Sequence, residues 1–173
     1  MLTSSQPTNR VTKLNKIAIC FVCMGNICRS PTAEGVFRYK ARLAGVEEKL
    51  HITSAGTHGY HIGSSPDKRS ASVALTRGYD LSTIKSRRVE QKDFTIFDYI
   101  LPMDKENFAY LKALKPVEAK ATLKLFMDFS KNYDERNVPD PYFGGNKGFE
   151  LVLDMIEDAA DGFIEYLIKS HTF

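Results

Sequence analysis

Cys23, Arg29 and Ser30 are the residues of this 173-residue chain best placed to do chemistry together. They share one short stretch, Cys23-Met24-Gly25-Asn26-Ile27-Cys28-Arg29-Ser30, which runs into Pro31. Before it, Ile17-Ala18-Ile19-Cys20-Phe21-Val22 is apolar and rich in β-branched and aromatic types, which suits a strand buried on both faces. After it, Ser30 stands where a helix N-cap belongs and Pro31 at the first helical position. The loop therefore lies at a helix N-terminus, where the unpaired N–H groups from Met24 to Arg29 and the helix dipole favour an anion. Gly25 and Asn26 tolerate the positive φ that curls such a loop into a nest of donors. Phosphate is the guest this pattern predicts.

Two side chains would turn that anion hole into a reaction site. A thiol is mostly protonated at neutral pH, but a helix terminus and a nearby guanidinium favour the nucleophilic thiolate, here that of Cys23. Arg29 supplies a planar fork that can bind two phosphoryl oxygens and gain strength as they accumulate charge. Ser30 can donate a hydrogen bond to the thiolate, first holding it as an anion and later helping it leave.

The run Val22 to Pro31 resembles the signature of the low-molecular-weight protein tyrosine phosphatases, a C-x5-R-S loop near the N-terminus. The likeness extends to D-P-Y-F from Asp140 to Phe143, S-A-G from Ser54 to Gly56 and F-D-Y-I-L-P-M-D from Phe97 to Asp104. It covers nearly everything after Lys16. A bare C-x5-R arises by chance, whereas the loop together with the distant D-P-Y does not.

The resemblance implies hydrolysis of phosphotyrosine and small aryl phosphates through a cysteinyl-phosphate, with Met24, Gly25, Asn26, Ile27 and Cys28 lining the phosphate. Thiolate attack on such an ester expels a phenolate unless an acid protonates it. Asp140, between two prolines in V-P-D-P-Y, is a stiffly held candidate. In the family this aspartate protonates the leaving oxygen and then activates water. Tyr60 and Tyr142 correspond to the two aromatic walls of the family's cleft, with an exposed loop tyrosine as the lesser alternative for Tyr60. The cycle needs Cys23 ionised and Asp140 protonated at once, which predicts a bell-shaped, mildly acidic rate profile. Neither metal nor other cofactor is implied, because Arg29 and the loop amides already neutralise phosphoryl charge.

Cys28 has two readings: a small buried side chain, or the partner that captures oxidised Cys23 as a disulfide, the family's reversible redox switch. Cys20 reads as core. Where the family often carries a histidine tied to the loop asparagine, Asp80-Leu81-Ser82-Thr83-Ile84 has Ile84. The buttressing of Asn26 must then differ, with Ser54 still available. Protein arginine phosphatases of this fold typically have threonine at the Ile27 position, so isoleucine points to phosphotyrosine. Related arsenate reductases need further cysteines downstream, and none follows Cys28. A zinc module built on Cys20, Cys23 and Cys28 lacks paired ligand knuckles, and Arg29 would repel the ion. A non-catalytic phosphotyrosine-binding module would normally have lost the nucleophile or the acid.

The elements that must hold these residues follow from pattern. Helical spacing through Ala33, Val36, Phe37, Lys40, Leu43 and Ala44 ends at Gly45, and residues 50–55 read as a second strand, parallel to the first. Turn chemistry covers 56–65, with His58, Tyr60 and His61. A helix is predicted over 67–77, closed by Gly78, then a helical turn over 89–93 and a buried strand over 99–102. Asp104 caps a helix reaching about Leu114, with Phe108, Leu111 and Leu114 inward. A fourth strand follows over 121–125, loop chemistry over 128–148, and an amphipathic helix over 149–168 closes the chain. Four strands alternating with helices imply a three-layer α/β domain with a doubly wound parallel sheet, whose ligand sits beyond the strand C-termini.

Length allows one domain, residues 16–173, preceded by a loose polar arm over 1–15. A net charge of +3 is far from that of a nucleic-acid-binding chain. No apolar run reaches the roughly 20 residues of a membrane span, and the first residues are too polar for a signal peptide. Three cysteines, all within the first 28 residues, form no secreted disulfide framework and point to a reducing, cytoplasmic setting. The expected partners are phosphotyrosine proteins or aryl phosphates, without nucleic acid or membrane; weak self-association stays open.

Overall fold

The computed structural model describes residues 15–173, so the arm expected over 1–15 lies, apart from Asn15, outside the described residues. Four strands, β1 (Ile17–Cys23), β2 (Leu50–Gly56), β3 (Tyr99–Pro102) and β4 (Thr122–Leu123), pair in parallel in the order β2-β1-β3-β4. Around them run α1 (Arg29–Leu43), α2 (Lys68–Thr76), α3 (Asp93–Ile96), α4 (Lys105–Leu114) and α5 (Gly145–Ser170). Short 3-10 turns occupy Glu47–Lys49, Phe126–Phe129 and Pro141–Phe143. The expected α/β architecture is the observed one.

The alternation of β1 builds both halves of the core. Ile19, Phe21 and Cys23 face a cluster made with Phe37 of α1 and Phe163 of α5, while Ala18, Cys20 and Val22 face Phe94 of α3 and Leu111 of α4. Phe21 is fully buried between Phe37 at 5.5 Å and Phe126 at 5.0 Å, both edge-on. A side chain of this size contributes about 1.5–3 kcal/mol on burial. Both faces of β1 are therefore pinned, and with them the exit of the loop that follows. From β1 the chain winds to β2 on one side and then to β3 on the other. The C-terminal end of β1 is thus the point where the winding reverses, the usual crevice for a ligand in such sheets.

Several expectations are corrected. Helix α1 starts at Arg29 with Cys28 at the N-cap, where no side chain caps it, so Ser30 is not the capping residue and Pro31 is the third helical residue. Proline is tolerated there because the first N–H groups of a helix have no intrahelical partner. The turn expected over 89–93 forms instead at Asp93–Ile96, since Val89 N–H is drawn to Gly56 O at 2.8 Å and Asp93 accepts from Glu90 N–H at 2.7 Å. Leu43 is exposed at the end of the α1 stripe, and on α4 Asn107 is buried while Phe108 and Leu114 are only half-buried. Helix α5 begins at Gly145, inside the stretch read as loop.

Candidate active site

The loop between β1 and α1 wraps around the sulfur of Cys23. Asn26 N–H donates to Cys23 Sγ at 3.2 Å, and Ser30 Oγ lies 3.0 Å from the same atom. This bond explains why Ser30 is absent from the cap: its hydroxyl serves the thiol. Asn26 takes a positive φ of 55°, the conformation that turns consecutive N–H groups to one side. The loop's carbonyls are spent on the outside. Cys23 O accepts from Thr57 N–H and Met24 O from His58 N–H, both at 2.9 Å; Gly25 O accepts from Ser86 Oγ at 3.1 Å and Ile27 O from Asp67 N–H at 2.8 Å. Gly56, at the end of β2, permits this contact, because a Cβ there would come within 2.7 Å of Met24 O.

Asn26 is buried, and its amide is fixed on every side. Its Nδ2 donates to Ser30 Oγ at 2.8 Å and to Ser54 Oγ at 3.0 Å, while its Oδ1 accepts from Arg87 N–H at 3.0 Å. Ser54 in turn donates to Glu34 Oε1 at 2.7 Å. Ile84 is buried in the core cluster, and the buttress runs through Ser54, Glu34 and the Arg87 backbone. Burial pushes the Glu34 carboxyl above the usual carboxylate range, against the opposing pull of Ser54 and Arg38.

Arg29 is buried at the start of α1, where Asp104 sets its direction. Its Nη1 donates to Asp104 Oδ2 at 2.6 Å and to Val138 O at 3.0 Å. Asp104 also caps α4 by accepting from Asn107 N–H at 2.7 Å. Burial opposes the guanidinium's charge, but Cys23, Asp104 and Asp140 together raise its pKa, so it stays cationic. In the sequence Asp104 reads only as the cap. Its second task becomes legible once β3 is known to lie beside β1, because Asp104 follows that strand just as Arg29 follows the first.

A 260 Å³ cavity opens above this loop, lined by Cys23, Met24, Gly25, Ile27, Cys28, Arg29, His61, Asp140 and Tyr142. Asp140 is exposed at its rim, and its Oδ1 accepts from Tyr142 N–H at 3.0 Å, which starts the turn Pro141–Phe143. Residues 117 positions apart in sequence thus share one cavity. Tyr60 does not reach it. That ring is 81% exposed and stacks on His58 at 5.5 Å, and His61 stands at the cavity wall instead. Nothing in the residue pattern distinguishes these neighbours, since both lie in the same turn-rich segment. Cys28 is buried beside the cavity, and burial pushes its thiol up to about 12, outweighing a hydrogen bond with Ser70. Cys20 is fully buried and its thiol is likewise pushed up to about 12, chiefly by burial, so it is core.

Fold and loop together place a cysteine sulfur, a buried arginine and loop N–H donors at the end of a doubly wound sheet. The profile of the low molecular weight phosphotyrosine protein phosphatases matches residues 18–172, and the chain belongs to that family. The low molecular weight protein-tyrosine-phosphatase YfkJ of Bacillus subtilis is 36% identical, over 88% of this chain and 97% of its own. The low molecular weight phosphotyrosine protein phosphatase of Homo sapiens is 37% identical over 89% and 96%. The crystal structure of the protein tyrosine phosphatase from Entamoeba histolytica superposes with a TM-score of 0.86 at 41% identity, covering 90% of this chain and 99% of the other.

Proposed function

We propose that the chain hydrolyses phosphotyrosine, and small aryl phosphate monoesters, through a phosphorylated Cys23. The thiolate attacks phosphorus, forming the S–P bond as the P–O(aryl) bond breaks, and Asp140 gives its proton to the departing phenolate. Arg29 and the loop N–H groups hold the remaining phosphoryl oxygens, where charge is greatest in the transition state. Asp140, now a carboxylate, takes a proton from water as that water attacks phosphorus. The S–P bond breaks, phosphate leaves, and Ser30 donates to the thiolate that re-forms.

One observation carries this reading: Cys23 Sγ, held by Asn26 N–H and Ser30 Oγ, opens into the same cavity that Arg29 and Asp140 line. Ile27 and Tyr142 add apolar wall to that cavity, which suits an aryl ring better than a guanidinium. Among the described residues no helix is long and apolar enough to cross a membrane. A cytoplasmic setting suits three unpaired thiols.

The test is turnover of phosphotyrosine with release of inorganic phosphate, abolished in Cys23→Ser. Rapid quenching of Asp140→Ala with an activated aryl phosphate should leave one phosphoryl group on the peptide containing Cys23. A phosphoryl group on any other residue, or turnover surviving Cys23→Ser, would refute the mechanism.

A further inference from the structure

Asp140 lies in a segment that is anchored at both ends. Upstream, Val138 is buried: its N–H donates to Met103 O at 2.8 Å, its carbonyl accepts from Arg29 at 3.0 Å, and Asn137 Oδ1 accepts from Lys105 N–H at 2.9 Å. Downstream the chain passes through Tyr142 to Gly144, the N-cap of α5, and to Gly145, the first residue of that helix, at φ +61°. Paired glycines make a poor strut. Besides its packing on α5, this end is reached by Arg69, from the first turn of α2.

The Arg69 guanidinium lies between two rings, with its carbon 5.1 Å from the Tyr142 centroid and 4.7 Å from that of buried Phe149. Its Nη1 donates to Tyr142 O at 3.4 Å, and its Nε and Nη2 donate to the Asp67 carboxylate at 3.2 Å each. The Asp67 N–H donates to Ile27 O in the phosphate loop. A continuous line of contacts therefore runs from the nucleophile's loop through Asp67 and Arg69 to the backbone two residues beyond Asp140. Only a planar fork can stack on two rings while bonding a carboxylate edge-on; an ammonium would keep the charge and lose the plate.

We propose that Arg69 is a positioning residue, which ties the downstream end of the acid segment to the base carrying the phosphate loop and so keeps Asp140 over Cys23. The inference rests on the reading of Asp140 as general acid. Arg69 itself is not among the residues that line the cavity. Its loss leaves attack and phosphate binding intact and weakens proton delivery alone.

The experiment compares kcat/KM across aryl phosphates from nitrophenyl to phenyl, where the leaving group grows more basic and depends more on an acid. The variants are Arg69→Gln, Arg69→Lys and, as reference, Asp140→Asn; the inhibition constant of inorganic phosphate is measured for each. Since a positioned acid contributes about 10²–10⁴-fold, partial misplacement should lower kcat/KM for phenyl phosphate by roughly tenfold and leave nitrophenyl phosphate nearly unchanged. Both Arg69 variants should show this, with phosphate inhibition unaltered. Arg69→Gln should add no further selective loss on top of Asp140→Asn. A uniform loss across the series, no loss, or weakened phosphate inhibition, with Asp140→Asn still steepening the dependence, would overturn the role of Arg69 alone. A flat series in Asp140→Asn would remove the acid assignment beneath it.

Discussion

Arg29 Nη1 and Asp104 Oδ2 lie 2.6 Å apart, an ion pair with side-chain exposures of 6% and 17% that joins the ends of two neighbouring strands. Asp104→Asn separates its two tasks, because asparagine caps a helix as well as aspartate does. The charged bond to Arg29 is lost, worth about 1.5–3 kcal/mol, so kcat/KM should fall about 10- to 100-fold while helix content holds. Steady-state kinetics beside a thermal melt checks this. An equal loss in Asp104→Ala and Asp104→Asn would support the pair, and full activity in Asp104→Asn would not.

Cys28 lines the same cavity as Cys23 and is kept a neutral thiol by its burial. Peroxide should convert the Cys23 thiolate to a sulfenic acid, which Cys28 then displaces, losing water and forming a disulfide. Dithiothreitol should restore activity. In Cys28→Ser recovery should be mostly lost, read as activity after timed peroxide exposure. Undiminished recovery in that variant would mean that Cys28 is packing only.

On the proposed mechanism, in which a thiolate and a carboxylic acid act together, the rate profile should be bell-shaped. Asp140→Asn should flatten the alkaline limb, and kcat/KM measured against pH shows it. A wild-type rate climbing steadily through about pH 8 would contradict the pairing of roles.

Asp158 on α5 offers a stability test remote from the site. Burial alone would raise its pKa, but donors from Ser130 Oγ, Lys131 N–H, Asn132 N–H and Asn132 Nδ2 together hold it below the usual aspartate range. A pKa lowered by folding adds stability that is present above the unfolded value, about 3.9, and fades as pH falls through the folded one. Asp158→Asn should therefore be less stable than wild type at neutral pH, and the gap should narrow in acid. Urea unfolding across that range measures it; a gap independent of pH would show that Asp158 acts without its charge.

Much of this was legible in the residues because local chemistry and global fold agreed. The β1 run, the β2 run and the capping role of Asp104 each matched one pattern only. Ser30 misled for a physical reason: a hydroxyl just before a helix usually caps it, but here the thiol seven residues back is the nearer partner. The shift from 89–93 to Asp93–Ile96 had a similar cause, since Gly56 claims the Val89 amide through a contact that no local pattern contains. Tyr60 and His61 could not be ranked without the stack on His58. Arg69 and the Arg29 partnership of Asp104 depend on which loops gather at one end of the sheet, a matter of strand order.

The loop of the proposed nucleophile belongs to the first quarter of the chain, whereas the segment carrying the proposed acid leads straight into α5, which packs against α1 and sets Phe149 against Arg69. A chain in which that helix does not dock would keep the sulfur and its loop donors but leave the proposed proton donor unplaced. Turnover thus reports on completed tertiary assembly, and a lesion that undocks α5 should silence the enzyme well before its helical signal disappears.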